Sequence, residues 1–309
     1  MTDLVIAHLY PGLLRTYGDH DNVAVLSRRA EWRGFSVRVE GVGPGEAIPA
    51  DANVIVLGGG TDGVQRVVGR DVVSRGGAVR EAIARGAVVV GICGGYQLLG
   101  RSYILPDGRE IPGLGILDVE TRASDGRIVG RVRGDARLWG RSFDLVGFEN
   151  HAGRTTLGSD AAPLASVTRG HGNNGHDRIE GAVQGSVVGT YLHGPVLAIN
   201  PALTDAVLTR ALAPVTGGEE LAPLDDVLEH RAHEGLARRV RDDRRPIRRR
   251  RIVVATVAAA LLLGAIGSVE VFEKHERNET AGRFGSGLVR EVGQAEHSTE
   301  GQSASGVIV

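Results

Sequence analysis

Cysteine and lysine are almost absent from this sequence of 309 residues. Cys93 is the single cysteine and Lys274 the single lysine. A lone thiol excludes an internal disulfide and a zinc site built from four cysteines, and it suits a reducing, cytosolic setting. We interpret the use of arginine in place of lysine as a bias of composition, because anion recognition would not require arginine at every basic position.

A large net charge and a leader sequence are absent as well. The formal net charge is -1 at pH 7, so composition gives no case for a nucleic-acid partner or an acidic substrate. The first six residues, Met-Thr-Asp-Leu-Val-Ile, lack the charged and apolar regions of a secretory signal peptide, and we expect none. An apolar fraction of 42% and the chain length allow one sizeable domain or two modest ones.

Residues 1–213 alternate short apolar runs with helical patterns and glycine-rich turns, which predicts an α/β sheet flanked by helices. Apolar residues at helical spacing predict helices at 22–32 and 74–85, and a proline-initiated helix is predicted at 201–212. The predicted strands are 4–9, 35–39, 53–57, 87–92, 115–120, 127–132, 143–148, 179–183 and 187–192.

The composition changes after residue 213. Residues 214–251 are acidic and then arginine-rich, and we predict a linker there. Residues 252–269 are uncharged and apolar, about the minimum length for a single transmembrane helix, with a short buried helix as the alternative. The arginines at 244–251 would then hold a cytoplasmic domain at the inner face of the plasma membrane. Residues 270–309 are polar and aperiodic, which predicts a disordered tail.

The segment 87–100 predicts a nucleophile elbow at Cys93. A buried apolar strand runs directly into Cys93, which is followed by Gly94, Gly95 and the start of a helix. Such a turn strains the nucleophile and needs small neighbours, and the helix N-terminus favours a thiolate. The backbone N–H of Gly94 would point to a developing oxyanion. The alternative is an inert cysteine buried in the core.

Two further segments follow predicted strands and complete a candidate site. His193 lies at the C-terminal end of the apolar strand 187–192, where sites of α/β proteins gather, and it is our candidate base. A structural histidine is the alternative. The run Gly58-Gly59-Gly60 could supply a second N–H to the oxyanion, although a plain tight turn would have the same sequence, and it lacks the lysine and hydroxyl residue of a phosphate-binding loop.

Four motifs together resemble the class I glutamine amidotransferases of the cobyric acid synthase type. They are Ile-Cys-Gly-Gly-Tyr-Gln at 92–97, the glycine run at 58–60, Gly-Phe-Glu-Asn-His at 147–151 and Gly-Thr-Tyr-Leu-His-Gly at 189–194. The resemblance extends from residue 2 to about residue 213, and it includes Tyr-Gly-Asp at 17–19 and Pro-Asp-Gly at 106–108. It implies a flavodoxin-like sheet and glutaminase chemistry.

By this resemblance, Cys93 is the nucleophile and His193 the catalytic base, with Gly59 and Gly94 as backbone donors to the oxyanion. Arg127 matches a substrate-binding arginine and Gln97 a contact of bound glutamine. From the residues alone, Arg127 would be a solvated charge at a strand edge and Gln97 an ordinary helix-surface residue. Glu149 and His151 lie within a matching motif, but we assign them no step.

Within this type, the sequence is similar to glutaminase subunits of lipid II isoglutaminyl synthases. That likeness implies a Mur-ligase-like partner that receives ammonia, amidates the stem-peptide D-glutamate of lipid II and holds ATP and Mg. No cofactor and no metal are expected in this chain. Pro195 occupies a position that often carries an acid, so the carboxylate that orients His193 must come from elsewhere, and the family's ligase subunit is expected to contribute an aspartate.

Two other functions remain open at this stage. A glutaminase for corrinoid side-chain amidation has similar motifs, but that family carries an ATP-binding domain ahead of the glutaminase, whereas these motifs start near residue 1. An inactive membrane-tethered scaffold is the second, and the presence of both Cys93 and His193 argues against it.

Overall fold

The computed structural model describes residues 3–16 and 21–242. The predicted transmembrane segment at 252–269, the arginines at 244–251, the tail at 270–309 and the motif at 17–19 lie outside these residues, so membrane insertion stays a prediction from sequence. Among the residues that are described, no helix is both long and apolar enough to cross a bilayer.

Thirteen strands and seven helices make up the described residues. The strands are β1 (Leu4–Leu9), β2 (Val37–Val42), β3 (Val54–Leu57), β4 (Val88–Ile92), β5 (Ser102–Ile104), β6 (Glu110–Pro112), β7 (Val119–Leu138), β8 (Arg141–Leu157), β9 (Ala165–Arg169), β10 (Ile179–Glu180), β11 (Ala182–Gln184), β12 (Val187–Thr190) and β13 (Leu192–His193). The helices are α1 (Asp21–Glu31), α2 (Asp62–Ser74), α3 (Gly76–Ala84), α4 (Gly94–Leu99), α5 (Val196–Ile199), α6 (Pro201–Thr216) and α7 (Val227–Asp242).

The first sheet has the strand order β11-β12-β4-β3-β1-β2 within the described residues. Its neighbouring strands are parallel, except that β11 is antiparallel to β12. β1, β3 and β4 are buried along their whole length, as expected for strands of a parallel sheet covered on both faces. The carboxyl ends of β3, β4 and β12 therefore meet at one edge of this sheet, where α/β proteins commonly place their sites.

A second, largely antiparallel sheet adds to the predicted α/β architecture. β7 and β8 form a long antiparallel hairpin, and β5 and β9 pair with β7. β13 pairs with β8 and so brings the residues that follow β12 against this hairpin. The second half of β8 alternates buried and half-buried residues, the pattern of a strand with one face on the core. The predicted strands 127–132 and 143–148 are parts of this hairpin.

Helices α1, α3 and α6 were predicted within a few residues, whereas α2 was not. The side chain of Thr61 caps α2 by accepting a hydrogen bond from the N–H of Val64 at 3.5 Å, and Asp62 lies in the first turn. Both features stabilise a helix N-terminus. α6 begins with Pro201 and ends at Gly217, which adopts a left-handed conformation with φ 68°.

The segment 214–251 contains a helix where the sequence predicts a linker. Arg29 of α1 is buried and donates hydrogen bonds of 2.5–2.8 Å to the carboxylates of Asp205 and Asp226. His233 of α7 contacts the carbonyl oxygen of Ile199 at 2.8 Å. Burial of an arginine requires paired carboxylates, and this pairing holds the start of α7 against the domain through contacts that are remote in sequence.

Candidate active site

Cys93 occupies a strained turn between β4 and α4. Its backbone has φ 51° and ψ -104°, a positive-φ conformation that a non-glycine residue adopts only when its surroundings enforce it. The N–H of Cys93 donates to the carbonyl of Thr190 at 2.8 Å, and its carbonyl accepts from the N–H of Gln97 at 3.0 Å. These bonds fix the turn between a neighbouring strand and the following helix, so the predicted elbow is present.

The glycine run after β3 packs directly on this elbow. The N–H of Gly95 donates to the carbonyl of Gly58 at 3.0 Å, and the carbonyl of Gly59 accepts from the N–H of Thr16 at 3.1 Å. A Cβ on Gly94 would lie 2.7 Å from the backbone nitrogen of Gly60. The structure thus brings the two predicted oxyanion segments together, and Gly94 has no room for a side chain at this contact.

Cys93 lines a cavity of about 370 Å³ at this edge of the sheet. That volume is at the small end of ligand pockets and suits a compact molecule such as an amino acid. Arg127 and Gln97 also line it. Gly60 of the glycine run lines it too, whereas the other lining residues were given no site role from the sequence: Thr16, Thr61, Asp62, Gly63, Gln65, Tyr103, Asn150, His151 and Ala152. Most come from the start of α2 with its capping residue and from β8, which reach the site only through the tertiary fold.

Asn150 holds the side chain of Arg127 at this cavity. The Nε of Arg127 donates to Oδ1 of Asn150 at 2.8 Å, and one Nη donates to the carbonyl of the same residue at 2.8 Å. Arg127 lies where the pairing of β7 with β8 shifts register. These two bonds use two of the five guanidinium N–H donors and fix the plane of the group, as a binding site for a carboxylate would require.

Gln97 is part of a buried hydrogen-bond chain. Its Oε1 accepts from Nε2 of Gln65 at 2.8 Å, and its Nε2 donates to the hydroxyl of Tyr191 at 3.1 Å. The hydroxyl of Tyr191 shares a further hydrogen bond of 2.6 Å with Thr155. Gln97 is therefore an internal wall residue, 4% exposed, and not a residue of the helix surface.

His193 lies at the same sheet edge as Cys93. β12 is parallel to β4 with Thr190 opposite Ile92, so the residues that follow these two strands leave the sheet side by side. His193 is 1% exposed and is paired with Phe148 of β8. It is not one of the residues that line the cavity. The predicted pair is therefore brought to one edge, with the cysteine at the cavity and the histidine buried beside it.

Glu149 is turned away from His193. In the antiparallel pair, Leu192 lies opposite Glu149 and His193 opposite Phe148, and successive side chains of a strand point to opposite faces. The buried Glu149 carboxylate accepts from Nδ1 of His171 at 2.8 Å and from the N–H of Gly172 at 2.8 Å. Its role in these described contacts is to fix the 171–172 turn.

Glu180 is a buried acid behind the same edge. One carboxylate oxygen accepts from the Thr190 hydroxyl at 2.6 Å and from the Tyr191 N–H at 2.9 Å. Burial raises the pKa of Glu180 from 4.5 to about 7 in spite of these bonds. Because the folded pKa is the higher one, this group's contribution to stability is fully present below pH 4.5 and is lost as the pH rises through about 7.

We expect Glu180→Gln to gain stability relative to the wild type as the pH rises from 5 to 8. An amide keeps the Oε1 acceptor and has no charge to bury, so the gain is on the order of 2–3 kcal/mol. The free energy of unfolding by urea at both pH values measures it. Glu234→Gln, an exposed carboxylate on α7, should show no comparable change. A difference between Glu180→Gln and wild type that is independent of pH would contradict the prediction.

Comparison with known proteins agrees with this arrangement. The model of a CobB/CobQ-like glutamine amidotransferase domain matches residues 5–201. A "Lipid II isoglutaminyl synthase (glutamine-hydrolyzing) subunit GatD" of Staphylococcus aureus (strain N315) is 39% identical over 212 residues, covering 68% of this chain and 85% of that protein.

Two further relatives have a similar sequence identity to this chain, but the match covers different fractions of their lengths. The protein of the same name from Streptococcus pneumoniae (strain ATCC BAA-255 / R6) is 36% identical over 236 residues, 75% of this chain and 89% of the relative. A "Cobyric acid synthase" of Rhizorhabdus wittichii is 38% identical over 205 residues, 62% of this chain and 39% of the relative. With its elbow, its glycine loop and this match over most of the domain, the chain belongs to the family of CobB/CobQ-like glutamine amidotransferase domains.

Proposed function

We propose that this chain is a glutaminase in which Cys93 attacks the side-chain amide of glutamine and His193 transfers the protons. One observation carries the proposal: the strained Cys93 lines a cavity of amino-acid size that it shares with a fixed guanidinium, that of Arg127. A cysteine thiolate is a strong nucleophile, and a nearby imidazole can accept the proton that the thiol gives up to form it.

The reaction then proceeds in two balanced steps. The sulfur of Cys93 adds to the amide carbon, the C–N bond breaks, and His193 gives the departing nitrogen the proton that it took from the thiol, which releases ammonia. Water, activated by His193, then cleaves the glutamyl thioester to give glutamate and the free thiol. The backbone N–H groups of Gly59 and Gly94 stabilise the oxyanion of each tetrahedral intermediate.

Arg127 binds the α-carboxylate of glutamine in this proposal, and Gln97 fixes the wall beside it. We expect Arg127→Ala to raise KM for glutamine roughly ten- to hundredfold, since a bidentate charge-assisted contact is lost. The control is Arg122→Ala, which removes an exposed arginine of the same strand that pairs with Glu120. Steady-state ammonia release measures both variants. An unchanged KM in Arg127→Ala would show that Arg127 is a solvated charge at the strand edge and does not bind glutamine.

We further propose that the ammonia passes to a Mur-ligase-like synthetase subunit, which holds ATP and Mg and amidates the stem-peptide D-glutamate of lipid II. Support comes from the two relatives named as subunits of lipid II isoglutaminyl synthase, of which this chain covers 85% and 89%. The match to cobyric acid synthase covers 39% of that enzyme, so corrinoid amidation is the second candidate. Lipid II and a corrinoid acid, offered in turn to the assembled complex, separate the two by the mass of the amidated product.

The isolated chain is expected to hydrolyse glutamine slowly and to be accelerated by the synthetase subunit even without an acceptor. Pro195 cannot ionise, and the family resemblance points to an aspartate of the ligase subunit, so a carboxylate of the partner would orient His193 and stabilise its imidazolium. Ammonia release is measured with the partner added and ATP omitted, which excludes acceptor turnover as the cause. Full activity of the chain alone, unchanged by the partner, would contradict this prediction.

A further inference from the structure

We propose that His151 binds the α-ammonium group of glutamine, with Nε2 of its neutral imidazole accepting a hydrogen bond from that group. The inference deepens the proposed glutaminase function and rests on it. His151 lies on β8 next to Asn150, is 2% exposed and lines the cavity that contains Cys93.

The ring of His151 is fixed in one orientation and one tautomer. Its Nδ1 is 2.8 Å from the carbonyl oxygen of Gly153, which only accepts, so Nδ1 carries the hydrogen and donates. The ring stacks on that of Tyr191, with centroids 3.7 Å apart and an angle of 9° between the planes. Burial lowers the pKa of His151 to about 3, so the imidazole is neutral at physiological pH and Nε2 presents a lone pair.

This lone pair lies at the ring edge farthest from the main chain and is buried without a hydrogen-bond partner among the described residues. A buried acceptor left unsatisfied is destabilising, and polar groups of this kind are rarely tolerated without a purpose. Because His151 lines the cavity, a ligand with an N–H donor can satisfy Nε2. A fixed neutral acceptor selects for such a donor and against a ligand that presents a carboxylate at that point.

The position of Arg127 identifies which donor of glutamine this is. Asn150, the residue before His151, holds the guanidinium of Arg127 through two hydrogen bonds, and Ile128, the residue after Arg127, pairs with His151 across the hairpin. The α-carboxylate and α-ammonium of an amino acid are attached to the same carbon. A carboxylate bound by Arg127 therefore brings the ammonium to His151, while the amide end extends to Cys93.

The test compares glutamine with glutaramate, which keeps the carboxylate, the chain length and the amide but has no α-ammonium group. Ammonia release is measured with the full chain, with its synthetase partner present in every arm. His151→Phe keeps a flat ring against Tyr191 and removes the acceptor, and His151→Gln supplies an amide oxygen near the position of Nε2. His176→Phe changes an exposed histidine and serves as the control.

His151→Phe should lower kcat/KM for glutamine about ten- to hundredfold, the effect of one hydrogen bond to a charged group, and should change that for glutaramate by less than about twofold. His151→Gln should restore part of the preference for glutamine over glutaramate, and His176→Phe should keep all of that preference. An equal loss of kcat/KM for both substrates would show that His151 acts only by packing against Tyr191. If Asp62→Asn loses the preference for glutamine over glutaramate and His151→Phe does not, Asp62 binds the ammonium group instead. Either result overturns the proposal.

A spectroscopic measurement covers the case in which His151→Phe does not fold. In Cys93→Ala protein labelled with ¹⁵N-histidine, saturating glutamine should shift the Nε2 resonance of His151 in the direction of hydrogen-bond acceptance, and glutaramate should not. Identical spectra with both compounds would refute the ammonium contact. If the wild type, with its partner, releases no ammonia from glutamine, the proposed function fails instead, and this is known before any variant is compared.

Discussion

Replacing Cys93 by serine is expected to abolish glutamine hydrolysis, with kcat lower by at least about a thousandfold. The hydroxyl has nearly the size of the thiol, but an alcohol ionises far less readily than a thiol and is a much weaker nucleophile. Ammonia release in the presence of the synthetase partner measures the effect.

The sequence itself provides the control for this prediction. Since Cys93 is the single cysteine, an alkylating reagent should inactivate the wild type by one modification per chain, glutamine should protect against it, and Cys93→Ser should take no label. The free energy of unfolding of the variant should stay within about 1 kcal/mol of wild type, because serine and cysteine are nearly isosteric. Near-normal turnover by Cys93→Ser would contradict a mechanism with a covalent intermediate on Cys93.

The strands of the parallel sheet could be predicted because their signal is local. β4 is an uninterrupted apolar run and β1 is apolar except for His8, and such runs predict strands buried on both faces. α2 has two glycines within 13 residues and a mixed polarity, so its helical pattern is weak. Its capping by Thr61 and its packing beside the site stabilise this helix. The spacing of apolar residues does not reveal either contribution completely.

The helix within the predicted linker has the same explanation. Residues 219–229 are acidic, and on composition alone they predict a solvated segment. Asp226 is nevertheless paired with Arg29, which is 197 residues earlier in the chain, and this pairing joins α7 to the domain. A buried ion pair between distant residues leaves no periodic signal, so it could not be predicted from the sequence pattern.

In the candidate site, too, residues next to predicted strands could be predicted, and residues placed by tertiary contacts could not. The elbow at Cys93 and the position of His193 follow from residues next to strands, so the motif predicts them. The wall formed by Asn150 and His151 depends on how β8 folds over the sheet edge, and the free Nε2 acceptor of His151 depends on a hydrogen bond and a stacked ring. Sequence motifs identify reacting groups more readily than the neutral groups that orient a substrate.

Gly95→Ala is expected to cause the largest loss of stability among single substitutions at the site, about 2–3 kcal/mol or more. A Cβ on Gly95 would lie 2.2 Å from the carbonyl oxygen of Leu57 and 2.7 Å from its carbonyl carbon. Both are backbone atoms of the buried strand β3, so no change of rotamer relieves the clash. The start of α4 would have to move away from β3, and Cys93 would move with it.

The matched control is Gly77→Ala, at a helical glycine of α3 whose added Cβ would meet nothing within 4 Å. It should stabilise the protein by roughly 0.5–1 kcal/mol, because alanine loses less backbone entropy in a helix. Urea unfolding and ammonia release are measured on both variants. Gly95→Ala should lose glutaminase activity even at temperatures where it remains folded, since the N–H of Gly95 no longer reaches the carbonyl of Gly58 at 3.0 Å and the elbow is displaced. Wild-type stability and turnover in Gly95→Ala would show that the contact between β3 and α4 does not hold the nucleophile in place.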